Sequence, residues 1–276
     1  MPLAYVIWGI GLLAYIAVSL LWSGNVSYRL ARNVTEAAQM DATVEAAINR
    51  AVLGLIDSRY DRRWRVDGVP QEFGFGGARV RVAIQDELGR IDLNHADGAL
   101  LIGLFQAVGG LDSSSASLLV DKILDWRDSS GLKRLNGAAA EDYRASGFAY
   151  GPRNGPFQSV DELQLVMDMT PELFRRVAPA LTVYSGRQFI DPQFAPPEAL
   201  LALPAVNADA AASMIAARAN SGTRPGVIDP VIPLQGRAFT IRADIEKSSG
   251  TVSREIAVRI TDNPIQPYWV MSWKAR

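Results

Sequence analysis

"RVRVAIQDELGRIDLN", residues 79–94, decides the fold. Its first half sets Val80, Val82 and Ile84 against Arg79 and Arg81, the period of two that places apolar side chains on one face of a strand and charges on the other. The alternation then stops, and between Asp86 and Arg237 lie about 150 residues whose signals are mostly helical. It resumes in "FTIRADIE", with Phe239, Ile241, Ala243 and Ile245 against Thr240, Arg242, Asp244 and Glu246, and again in "EIAVRI", with Ile256, Val258 and Ile260. Lys247, Ser248, Ser249 and Gly250 read as the hairpin loop between these two, and "YWVMSW" after Asn263 and Pro264 as a further strand. The simplest architecture is one α+β sheet interrupted by an inserted helical domain, with Ile84 and Ile241 in the same sheet and the two ends of the insert close together.

Upstream, residues 1–28 contain no Asp, Glu, Lys, Arg or His. The run "LAYVIWGIGLLAYIAVSLLW" is about 20 residues, or about 30 Å as a helix, which matches a bilayer core. A cleaved secretory signal would need a basic start, a shorter apolar stretch and a small-residue cleavage site, and these are not visible. After Arg29, Leu30, Val34, Ala37, Val44, Ile48, Ala51 and Leu55 recur at helical spacings, interrupted by Asp41, so an amphipathic helix continues to about Ile56. One long helix thus anchors the chain and packs on its own globular part. The resulting division is a transmembrane and amphipathic helix at 1–57, a first αβ part at 58–95, the inserted α-domain at 96–221, and C-terminal strands at 222–276.

The insert repeats itself. "IDLNHADGALLIGL" from Ile91 and "IDPQFAPPEALLAL" from Ile190 align without gaps, and each leads to a second helix, "ASLLVDKILDWR" and "AAASMIAARAN". Between them, "SVDELQLV" has Ser159 as cap with Glu162 three residues on, and "TPELFRRVAPAL" has Thr170 as cap with Pro171 in the first turn. Such paired helices resemble helix-hairpin-helix and SAM-like units, many of which bind DNA through a Gly-rich hairpin. Here Gly109 and Gly110 are the sole trace of one, and 28 Lys plus Arg against 29 Asp plus Glu give no global attraction to nucleic acid. No nucleic-acid partner is expected; a membrane-anchored DNA receptor is the alternative reading, and a plain tethered scaffold a third.

The chain has no cysteine and a single histidine, His95, which excludes disulfides, thiolate zinc sites and a His-rich metal centre. "GFGG" at Gly74 lacks the Lys-Ser/Thr partner of a phosphate loop, and the carboxylates form no catalytic pair, so no enzyme is expected. The acidic groups that do gather in sequence are Asp125 and Asp128, with Ser130 before Gly131, and Glu141 and Asp142. Oxygen ligands on a sharply turning backbone suit calcium, and these four carboxylates are the candidate metal ligands. The bland reading is a helix end, a polar loop, and Glu141 and Asp142 in the first turn of the next helix, where negative charge suits the dipole.

Taken together, the uncharged leading helix ending in "LARNVTEAAQMDATVEAAINRAVLGL", the "DELGRIDLN" stretch, "DWRDSSG", "NGAAAEDYRASG", "FQSVDELQLV" and the C-terminal strand hairpin resemble the K-type minor pseudopilin of the bacterial type II secretion system. The resemblance covers essentially the whole chain. It implies a pilin-like αβ fold with an inserted α-domain and a single-pass inner-membrane anchor carrying a periplasmic globular part. The implied place is the tip of the pseudopilus, with the I- and J-type minor pseudopilins and the major pseudopilin as partners. It also implies calcium in the α-domain, on a D-x-x-D-x-D loop and a G-A-E segment. Here Ser130 stands for the third loop acid and Ala139 for the acid of the second segment, and Lys133 and Arg134 reduce the local negative charge. Relatives carry a short basic leader ending in Gly, which prepilin peptidase removes before methylating the new N-terminus. No leader precedes Met1, so Met1 stands near the mature start, or translation begins further upstream, or this copy is unprocessed. Most pilin-like subunits bear a glutamate near the mature N-terminus that meets a neighbour's amine; residues 1–28 have no acid, as expected of a subunit with no neighbour above it.

Overall fold

The computed structural model describes residues 2–220, 226–247 and 250–275, with the side chains of residues 4, 20–27 and 219–220 outside that description. Helix α1 runs over Pro2–Ile56, as the apolar spacing predicts. A hairpin follows, β1 (Gln71–Phe75) and β2 (Ala78–Asp86), and then the chain leaves the sheet. It passes through β3 (Ile91–Asp92), α2 (Gly98–Ala107), α3 (Ser113–Arg127), α4 (Ala140–Ala145), α5 (Pro171–Val177), β4 (Leu181–Thr182), α6 (Pro197–Leu201) and α7 (Ala208–Asn220). It returns as β5 (Ala238–Lys247), β6 (Gly250–Ile260) and β7 (Tyr268–Ala275).

Among the described residues the main sheet has the order β1-β2-β5-β6-β7 and is antiparallel throughout. The strand that precedes the insert therefore pairs directly with the strand that follows it. Val80 faces Ile245, Val82 faces Ala243, and Ile84 faces Ile241, as the alternation requires. The second half of α1 lies on this sheet: Val44, Ala47, Ile48, Ala51, Val52 and Leu55 share one core with Val80, Ile84, Ile241 and Ile256. Each fully buried aliphatic side chain there contributes about 1.5–3 kcal/mol relative to exposure. Asp41, which breaks the apolar stripe, points outward and lies 3.5 Å from Arg254 Nη2.

The α+β class stands, but three local elements were not expected. "QEFGF" forms β1, closed by Gly76 and Gly77 at φ of 57° and 74°, the doubly left-handed turn that only glycine adopts without strain. A short parallel pair, β3 and β4, joins Ile91 to Leu181 and Asp92 to Thr182 inside the insert. "SVDELQLV" forms a 3₁₀ segment (Val160–Leu165), and the side chain of Ser159 makes no capping bond. Thr170 does cap α5, accepting from Leu173 N at 3.2 Å. The hairpin residues Ser248 and Ser249 lie outside the described residues, but Lys247 and Gly250 on either side of them pair.

The insert has its own core, running from Ile91 to Ala211. Its two repeated segments become the hairpins α2–α3 and α6–α7. Asp97 and Pro196, equivalent in the gapless alignment, are the N-cap residues of α2 and α6. Gly103 and Ala202, also equivalent, meet where these helices cross: a Cβ on Gly103 would run into the Ala202 carbonyl. The repeat is thus packed about the contact of its own matching residues. Gly110, at φ 74°, stops α2, with Leu111 N donating to Phe105 O at 3.0 Å, so the glycine trace serves as a helix terminator.

Among the described residues no helix is long and apolar enough to cross a membrane. The uncharged run at residues 3–22 includes positions 4 and 20–22, so that expectation falls in part outside the described side chains.

Candidate functional site

The junction between sheet and insert is built by residues 85–94. Asp86 ends β2 wholly buried, accepts from Leu88 N at 2.9 Å and pairs with Arg237, the residue just before β5. Burial pushes the Asp86 carboxyl up to about 6, against the opposing pull of Arg237 and the Leu88 amide. The Arg237 guanidinium carbon also sits 5.5 Å from the Phe194 ring centre and 6.0 Å from that of Phe239. Gln85 Nε2 donates to Phe194 O at 2.7 Å. Further on, buried Asp92 accepts from Asn94 N at 2.8 Å and Gly186 N at 2.7 Å, with His95 Nδ1 3.1 Å away and half exposed. Asn94 grips the Phe157 main chain through both its amide oxygen and nitrogen, at 2.7 and 2.9 Å. Four polar side chains of one short segment, Gln85, Asp86, Asp92 and Asn94, therefore tie the exit strand to the return strand and to the insert.

The four candidate metal ligands occupy the α3–α4 loop. Asp125, in the last turn of α3, is buried; its Oδ1 accepts from Arg134 Nη1 at 2.8 Å and its Oδ2 from Arg134 N at 3.1 Å. Asp128 Oδ1 accepts from Ser130 N at 2.9 Å, and its Oδ2 lies 3.5 Å from Arg134 Nη1. The Ser130 amide, with help from Arg134, holds the Asp128 carboxyl below the usual carboxylate range. Asp142 begins α4 by accepting from Ala139 N at 2.7 Å and meets Lys133 Nζ at 2.8 Å. Lys133 is the main reason that the Asp142 carboxyl titrates low. Glu141 is exposed at the first turn of α4. Asp125 and Asp128 thus converge on one guanidinium, Asp142 turns to an ammonium, and Glu141 faces solvent. Among the described residues no three His, Cys, Asp or Glu side chains gather as a metal-binding group.

Beneath the loop, Trp126 stacks on Phe157 with ring centres 6.2 Å apart, and its indole nitrogen donates to Glu162 Oε1 at 2.9 Å. Glu162 also accepts from Gln158 N at 2.9 Å and pairs with Arg153. Sequence spacing alone marks Glu162 as a capping residue; its acceptor role depends on Trp126, 36 residues earlier, and only the fold reveals it.

Two further surfaces are open. A cleft of about 790 Å³ lies between the insert and the sheet, but its cations are met by anions, Arg65 by Asp67, Arg90 by Glu87 and Lys274 by Asp161. Apolar side chains also remain exposed on α1, at Leu30, Val34 and Leu53, and on edge strand β7, at Trp269 and Trp273.

Residues 86–186 match the family model for protein K of the type II secretion system. The matched segment starts at buried Asp86 and takes in β3, α2 to α5 and β4, and with them the whole α3–α4 loop. The full chain is similar in fold to a chain of the crystal structure of the GspK-GspI-GspJ complex from the type 2 secretion system of enterotoxigenic Escherichia coli. The TM-score is 0.63 at 16% identity, covering 89% of this chain and 99% of that one. No curated protein matches the chain. The overall fold is thus shared with that chain, and the family that residues 86–186 match is, by its description, part of the type II secretion system.

Proposed function

We propose that this chain is a protein K of the type II secretion system, a minor pseudopilin that sits at the tip of the pseudopilus, where it initiates and caps assembly without catalysing any reaction. Residues 3–22 hold it in the inner membrane before assembly, and the globular part faces the periplasm. The observation that carries this reading is the helix: 55 residues long, its second half seated on the sheet, and no acidic residue within positions 1–28. A subunit inside a filament has neighbours on both sides that can neutralise a carboxylate in an apolar core. A terminal subunit lacks one of them, and a buried carboxylate without its partner costs several kcal/mol. Leu30 and Val34, exposed upstream of the residues that α1 buries on the sheet, continue the same apolar stripe and are what helices of neighbouring pseudopilins would cover. Partners of the I and J types are supported by the complex in which the similar chain is found. The insert, attached to the globular end through one pair of crossings, is the bulk that blocks addition above.

Labelling the insert and imaging assembled pseudopili tests the placement. Signal at one end of each filament is expected; signal along the shaft would refute a tip role. Co-purification with I- and J-type subunits, lost on Leu30→Asp together with Val34→Asp, tests the helical face.

A further inference from the structure

The resemblance to K-type pseudopilins implies calcium in the α3–α4 loop, and the side chains present there do not fit it. Calcium takes six to eight oxygens at about 2.3–2.6 Å, carboxylates above all. Both oxygens of Asp125 are already committed to Arg134, one to its amide and one to its guanidinium at 2.8 Å. Asp128 gives one oxygen to the Ser130 amide and turns the other toward the same guanidinium. Asp142 gives Oδ2 to the Ala139 amide and meets Lys133 with both oxygens, at 2.9 and 2.8 Å. Glu141 is exposed, and Ser130 and Ala139 stand where the resemblance implies acids. A divalent ion entering here would meet a guanidinium and an ammonium before it met three free carboxylates.

We infer that Arg134 and Lys133 act as built-in cations that close this loop, so that the insert folds without calcium and gains a calcium response only when these charges are removed. The chemistry suits the exchange. A guanidinium presents a planar fork to a carboxylate and carries fixed charge at all accessible pH, and the main-chain N–H of the same residue supplies a second donor. Gly137 belongs to the arrangement: a Cβ there would collide with Asp125 Oδ2, so the returning chain passes close enough for Arg134 to reach over the loop. What the resemblance assigns to an ion, this chain obtains from two residues of its own loop, and its stability becomes independent of free calcium.

The test is a thermal melt of the full chain in detergent, followed by tryptophan fluorescence, in millimolar calcium and in chelator. For the natural chain the two midpoints should agree within about 1 °C. Arg134→Gln with Lys133→Gln should melt lower in chelator and recover by at least about 4 °C in calcium, since an ion bound only by the folded state stabilises it by mass action. Magnesium, with its stricter octahedral demand, should recover less. Arg134→Lys, which keeps the charge, should stay insensitive to calcium. A calcium-raised midpoint in the natural chain, or a double variant that gains no calcium response, would overturn the inference. Should the double variant fail to fold in chelator, refolding is the second reading: recovery in calcium alone supports the inference, and no recovery in either buffer refutes it.

Discussion

Asp86 is the residue on which sheet and insert turn, and it sets a pH dependence. Its folded-state pKa of about 6 lies above the ordinary aspartate value of 3.8, so between these values the folded chain holds more proton than the unfolded one. The contribution is full below about pH 4 and is lost as pH rises through about 6. Relative to Asp86→Asn, the natural chain should therefore gain about 1–3 kcal/mol in urea unfolding between pH 7 and pH 4; a flat difference would show that Arg237 fully offsets burial. Glu162 makes a second case. Glu162→Ala leaves the buried Trp126 indole and the Gln158 amide without their acceptor and should cost about 1–3 kcal/mol by the same measurement, whereas a surface change such as Glu172→Ala should cost less than about 0.5 kcal/mol. At this scale the sequence shows the acidic residues but not their partners. Lys133 and Arg134 can be seen to dilute the charge of the loop, yet that Arg134 binds both Asp125 and Asp128 depends on a backbone path that spacing does not encode.

Elements were legible where periodicity was long. The apolar spacing from Val44 to Leu55 and the alternations of β2, β5 and β6 carry the helix and the sheet because burial on one face leaves a pattern that no other structure repeats. β1 escaped because two of its five positions carry little signal, Gly74 having no side chain and Gln71 being polar, and its pairing is imposed by the Gly76–Gly77 turn. β3 and β4 escaped because two-residue strands have no period. The gapless repeat was visible, but not that its matching residues touch. That contact predicts an asymmetry between two glycines of α2. Gly103→Ala must push the Ala202 carbonyl away and should lower stability by about 1–3 kcal/mol. Gly98→Ala, whose Cβ would come no nearer than 3.6 Å to Leu124, should be neutral or stabilising by up to about 1 kcal/mol. Thermal melts of the two variants decide it, and equal losses would refute close helix packing at Gly103.

At the scale of the molecule, the two cores are nearly separate: the sheet core draws on Phe194, Ile228 and Leu234 from residues 87–237 and otherwise stands on α1, Val66 and the strands. Replacing 87–236 by a short turn, with Arg237 kept beside Asp86, should leave β2 and β5 paired as a hairpin, with helical circular dichroism reduced and strand signal kept, at lower stability because those three contacts are lost. An unfolded product would refute a self-sufficient sheet. The direct pairing of Asp86 with Phe239 has a kinetic corollary. In a flexible chain, joining points roughly 150 residues apart costs about 4 kcal/mol of loop-closure entropy before any strand contact repays it. An insert that has already folded holds its two ends together and shortens that search to a few residues. The order of events is then set by topology: the guest folds first, and the host sheet zips behind it. During synthesis the leading helix and the first hairpin must wait, with their apolar faces uncovered, until the last strands of the chain arrive.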